Sequence, residues 1–62
     1  MKYIWVLFEV FLENDYVIDR EYVYSVHETE GGAILAEQEL IILQQDDQGL
    51  CRTKIECYEV KV

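Results

Sequence analysis

The sequence predicts an α+β fold in ββαβ order: a three-stranded antiparallel sheet, strand order 2-1-3, with one helix packed on one face. Three observations predict it. Two runs rich in β-branched and aromatic residues, 2–12 and 16–27, flank Asn14-Asp15, a pair that tolerates the positive φ of a tight hairpin turn. A helix signal follows, opened by Thr29 as N-cap and closed by Asp46-Asp47-Gln48-Gly49. A last run, 50–62, returns to strand composition.

Each element has its own justification. Strand 1 is apolar on both faces, which suits the centre of a sheet. A two-residue turn at Asn14-Asp15 sets Glu13 opposite Tyr16, and counting back sets Phe11 opposite Ile18, Glu9 opposite Arg20, Leu7 opposite Tyr22, Trp5 opposite Tyr24 and Tyr3 opposite Val26. Glu9 against Arg20 is then a favourable cross-strand pair. The helix is expected from about Gly32 to Gln45, weakened at its start by Gly31-Gly32, with Glu30 well placed in the first turn. Asp46 and Asp47 oppose the macrodipole at its C-terminus, which argues for an end by Gln45. A right-handed crossover through the helix sets strand 3 parallel to strand 2, on the far side of strand 1. Strands 2 and 3 carry Asp19, Arg20, Glu21, Arg52, Lys54, Glu56, Glu59 and Lys61, charges that protect sheet edges. In strand 3, Cys51, Ile55 and Cys57 point one way and Tyr58, Val60 and Val62 the other, which reads as a slip of alternation near residue 57.

The 62 residues make one domain at most. A chain this short buries only about 60% of its unfolded surface, so it is marginal without help. Its hydrophobic content of 52% excludes a disordered tail. The net charge of −8 argues against direct nucleic-acid binding and against an anionic membrane surface, because both need clustered Lys and Arg. Such a charge either keeps an apolar mini-protein in solution or steers it to a protein with a basic surface. The N-terminal run from Tyr3 to Phe8 is far short of the ~20 residues that span a bilayer. Glu9 and Glu13 interrupt it as a signal peptide, so it reads as a buried strand.

Chemistry-bearing residues are few. Cys51 and Cys57 fall on one strand face about 20 Å apart, too far for a disulfide, which points to a reducing, cytoplasmic setting. With the lone His27 they match no metal-ligand spacing, so neither metal nor cofactor is expected. His27, beside Glu28 and Glu30 with Ser25 on the same face, reads as a strand-end histidine rather than a general base. Gly31-Gly32 lacks a phosphate-binding pattern. No catalytic residue is expected.

The remaining signal is an excess of apolar surface. The face with Ile4, Val6, Phe8, Val10, Leu12 and Val23 is expected beneath the helix stripe Ala33, Ala36, Leu40 and Leu43. That leaves Tyr3, Trp5, Leu7, Phe11, Ile18, Tyr22 and Tyr24 on the other sheet face, and Ile34, Leu35, Ile41 and Ile42 on the outer helix. Monomers rarely expose so much. The excess is either a homodimer interface or a docking surface for another protein. In the docking reading, Tyr3, Trp5, Phe11, Tyr22 and Tyr24 supply contact, and Asp19, Glu21, Asp46 and Asp47 supply charge. Asp19 and Glu21, about 7 Å apart along a strand, imitate successive phosphates.

The whole chain as a layout, short, acidic and built from a few strands and one helix, resembles the small acidic proteins of phages and mobile elements, including anti-CRISPR proteins, while its segment from Tyr22 through Thr29 to Ala33 and Ala36 is common to many unrelated small α+β proteins. The resemblance implies a stoichiometric inhibitor of a host nucleic-acid-handling complex. It carries over no site residue.

Overall fold

The computed structural model describes residues 2–14, 17–46 and 50–61, without the side chain of Asp46. Strand β1 (Lys2–Asn14) and strand β2 (Val17–His27) form the hairpin. Helix α1 (Glu30–Leu43) follows, then a 3-10 turn (Gln44–Asp46), then strand β3 (Cys51–Val60). The sheet order is β2-β1-β3, with β1 antiparallel to both neighbours. The predicted ββαβ layout and strand order therefore stand.

The helix begins two residues earlier than its glycines suggest. Thr29 is extended at φ −130°, and its Oγ1 accepts a hydrogen bond from Gly32 N at 3.1 Å, satisfying one of the N–H groups a helix start leaves unpaired. Gly32 is also where the helix meets β2. A Cβ there would lie 3.1 Å from Thr29 Oγ1 and 3.4 Å from His27 Nδ1. The α-helix stops at Leu43 and tightens into the 3-10 turn.

The hairpin register differs from expectation. Asn14 pairs with Val17, and its Oδ1 accepts from Val17 N at 3.0 Å. It is the last paired residue rather than half of the turn. Tyr16, expected opposite Glu13, lies outside the described residues together with Asp15. Glu9 pairs with Tyr22, not Arg20, and Phe11 takes Arg20. Shifts at Leu7/Phe8 and Phe11/Leu12 leave Tyr24 and Asp19 as extra residues on β2, and one at Leu12/Asn14 leaves Glu13 as an extra residue on β1; each irregularity moves everything beyond it by one place. The slip expected in β3 is not there. Its pairing with β1 runs without a break from Lys2–Val60 to Phe11–Cys51.

The helix covers the opposite face from the expected one. Gln44 Nε2 donates to Glu9 Oε2 at 3.4 Å, Thr53 Oγ1 donates to Glu37 Oε2 at 2.9 Å, and Gly32 stands over His27. Glu9 pairs directly with Thr53, so both share one face with Trp5, Leu7, Phe11 and Ile55. The physical reason lies in β3. On the helix side it offers Cys51, Thr53, Ile55 and Cys57, which are neutral. On the other it offers Arg52, Lys54 and Glu56, and a helix laid there would desolvate three charges. The helix meets the sheet through Ala33, Ala36, Glu37, Leu40 and Gln44. Leu43, expected in that stripe, is 69% exposed.

The core is small. Leu7 on β1 and Leu40 and Ala33 on the helix are 0%, 1% and 0% exposed, and Val6 and Val10 are buried on the open side. Truncating Leu7 to Ala should cost about 2–5 kcal/mol. Leu43→Ala should stay within about 0.5 kcal/mol. Urea midpoints measure both; equal losses would mean that the helix is rotated.

Candidate protein-interaction surfaces

Three surfaces carry the chain's exposed chemistry. The first is the uncovered sheet face. Ile4, Val6, Phe8, Val10 and Leu12 run down its centre. Val26, Val23, Glu21 and Ile18 flank them on β2, and Tyr58, Glu56, Lys54 and Arg52 on β3. An ionic cluster lies across it. Lys54 Nζ bonds Glu21 and reaches Glu56 Oε1 at 3.3 Å, and it stands 4.8 Å over the Phe8 ring. The Tyr58 hydroxyl donates to Glu56. These bonds shift titrations in opposite senses. Bonding to Tyr58, then to Lys54, lowers the Glu56 pKa. Bonding to Glu56 raises that of Tyr58, and bonding to Glu21 raises that of Lys54.

The second surface is an open cleft of about 520 Å³ at the hairpin end, lined by Phe11, Leu12, Asp19, Arg20, Tyr22, Leu50 and Cys51. Phe11 and Tyr22 meet edge to face, centroids 5.9 Å apart. Arg20 donates to Asp19 Oδ2 at 3.1 Å and to the Tyr22 hydroxyl at 3.4 Å, and both bonds raise its pKa, the one to Tyr22 more.

The third is the outward side of α1. Ile34, Leu35, Ile41, Ile42 and Leu43 are exposed there. The helix carries Glu30, Glu37 and Glu39 and no Lys or Arg.

The residues expected to bind a partner are scattered among these surfaces. Phe11, Tyr22 and Asp19 come together in the cleft. Trp5 is half-buried on the helix side, opposite His27 and Cys57. Tyr3 is exposed on that same side, opposite Glu59, and Tyr24 is exposed at the bulge. Glu21 lies on the open face. Asp46 ends the 3-10 turn, and Asp47 is outside the described residues. The phosphate-like pair is not a bare acidic ladder, because Asp19 is bonded to Arg20 and Glu21 to Lys54. The sequence reading missed Phe8, Val23, Val26, Lys54, Glu56 and Tyr58 as one open surface. Their signal was the alternation of Arg52, Lys54 and Glu56 with neutral residues along β3.

Ser25 Oγ lies 2.7 Å from His27 Nε2. His27 pairs with Trp5, six residues along β1 from Phe11 in the cleft, or about 20 Å away. The two cysteines are not disulfide-bonded. Among the described residues no cluster of His, Cys, Asp or Glu is placed to hold a metal, and no helix is long and apolar enough to cross a membrane.

The ionic cluster predicts a pH window. Glu56 has a lowered pKa when folded, so its contribution is present above the ordinary glutamate pKa of about 4.3 and lost as pH falls through the folded value. Tyr58 and Lys54 have raised values. Their contributions are present below their ordinary pKa values of about 10 and lost as pH rises through the folded ones. Urea midpoints measured against pH should fall at both ends. Glu56→Gln should flatten the acid limb; an unchanged acid limb would show that Glu56 plays no part.

No protein-family model, curated protein or solved structure matches the chain, and the reading of these surfaces rests on their own chemistry.

Proposed function

We propose that the chain is a non-catalytic protein-binding module whose outward helix face docks into an apolar groove rimmed by basic residues on another protein. One observation carries this reading. The outer side of α1 exposes five large aliphatic residues, and every charge on that helix is negative. A helix laid in a groove by an apolar side is a recurring mode of recognition, with aliphatic anchors giving affinity, and α1, apolar on both its covered and its outward side, has such anchors left over. The acids give encounter rate and choice of partner. Glu37 keeps its place by accepting from Thr53, while Glu30 and Glu39 stand exposed.

The cleft at the hairpin end adds an aromatic contact, Phe11 with Tyr22, on the same side of the sheet. Proteins that handle nucleic acids carry basic channels. Occupying such a channel would make the chain an inhibitor, as the phage-protein resemblance implies. Two cysteines without a disulfide suit a reducing compartment. The chain then acts by contact and needs neither metal nor cofactor.

Immobilised chain should retain basic proteins from a cell extract at low salt and release them as salt rises, because screening weakens exposed charge attraction. Leu35→Asn with Ile42→Asn should abolish that retention. Both sites are exposed, so folding should survive. Identical captures by the wild type and the double variant would overturn the helix as the docking face.

A further inference from the structure

The uncovered sheet face differs in charge from the rest of the molecule. Three basic residues, Lys2, Arg52 and Lys54, stand on that face by register with the acids Glu21 and Glu56, and Lys2 is paired with a third acid, Glu28, at 3.2 Å, so the described charges there balance. The acids Glu9, Glu30, Glu37, Glu39 and Glu59 lie on the helix or on the helix side of the sheet. We propose that this face is a self-complementary interface that pairs two copies of the chain, leaving both acidic helices outward. The inference is independent of the helix-docking reading and concerns the other side of the sheet.

Electrostatics selects the occupant. Two copies that each carry −8 repel on approach, and they can meet only where their charges cancel locally. A basic partner would be drawn everywhere except to this face. A twofold interface must also match itself, since the same patch serves both subunits, and a balanced face meets that condition while an acidic one does not.

The composition fits as well. The β1–β2 half is apolar, with Val23 and Val26 exposed at 59% and 56% beside Phe8 and Val6. Lys54 on β3 reaches across β1 to Glu21 on β2 and also bonds Glu56, so the charges on this face are already matched to one another. Charges paired within the face can be covered without leaving one unpartnered, and the valines beside them supply apolar area. The molecule is a slab of 40 × 21 × 13 Å, whose broad face is of the order of the ~800 Å² that each partner gives to a standard interface. Stacking two such sheets closes a four-layer helix–sheet–sheet–helix sandwich, and the exposed Val23 and Val26 leave water.

Analytical ultracentrifugation of the full chain, from micromolar to hundreds of micromolar, tests this. A dimer is expected, and it should tighten when salt is raised from low to physiological, because screening relieves repulsion between the acidic outer surfaces. Val23→Lys and Val26→Lys should each raise the dissociation constant at least roughly tenfold by burying an unpaired charge. Leu35→Lys makes the same charge change on the helix and should leave it unaltered. Circular dichroism confirms that each variant is folded; if Val23→Lys unfolds, Val26→Lys decides. A chain that stays monomeric throughout, a dimer that salt loosens, or a dimer broken by Leu35→Lys and not by Val26→Lys would overturn the proposal. The helix-docking reading has its own test at Leu35 and Ile42, so the two can fail separately.

Discussion

A fourteen-residue helix is about 21 Å long, enough to cover one side of a three-stranded sheet and no more. The rest of the molecule follows from which side it covers. On the covered side, Leu7 on the central strand and Leu40 and Ala33 on the helix exclude water. On the other, Val6 and Val10 are buried only by their neighbours within the sheet, because no second layer stands over them.

The choice of side is set by the cost of charge. Aliphatic residues fill the open face along β1, and hydrophobicity alone would place the helix there. The neighbouring strand forbids it. Arg52, Lys54 and Glu56 stand beside Val10, Phe8 and Val6, and covering them would strip three charges of water with only part of that loss offset by their mutual bonds. On the chosen side Arg20 and Glu59 lie toward the two ends of the sheet and are exposed, and Glu9 near the helix end keeps a partner in Gln44. Glu37 is likewise met by Thr53, and no buried side-chain polar atom lacks a hydrogen bond among the described residues.

Two exposed apolar surfaces result, with opposite charge settings. The helix exterior is aliphatic within a purely acidic frame. The open sheet face is aliphatic and aromatic within a balanced one. Charge rather than hydrophobicity distinguishes what each can meet, since apolar burial is non-directional and charge complementarity sets specificity.

The sequence by itself determined the element order, the central place of β1, the sheet order and the surplus of apolar surface. These depend on local composition, on turn and cap residues, and on the handedness of the crossover, all of which are encoded over short spans. Only the tertiary structure decided which residues share the covered face. The hairpin closes at Asn14–Val17, two places from the expected register, which with the shifts at Glu13 and Asp19 separates Glu9 from Arg20, and the bulge at Tyr24 displaces the pairs beyond it; a bulge depends on how two strands fit and leaves no mark in either alone. The covered side followed from summing charge across neighbouring strands, although half of that sum was legible in the alternation of β3. The aromatic residues expected to form one open platform kept a common face except Tyr24 at the bulge, but the helix settled on that face, half-burying Trp5 and leaving Phe11 with Tyr22 in a cleft at its end.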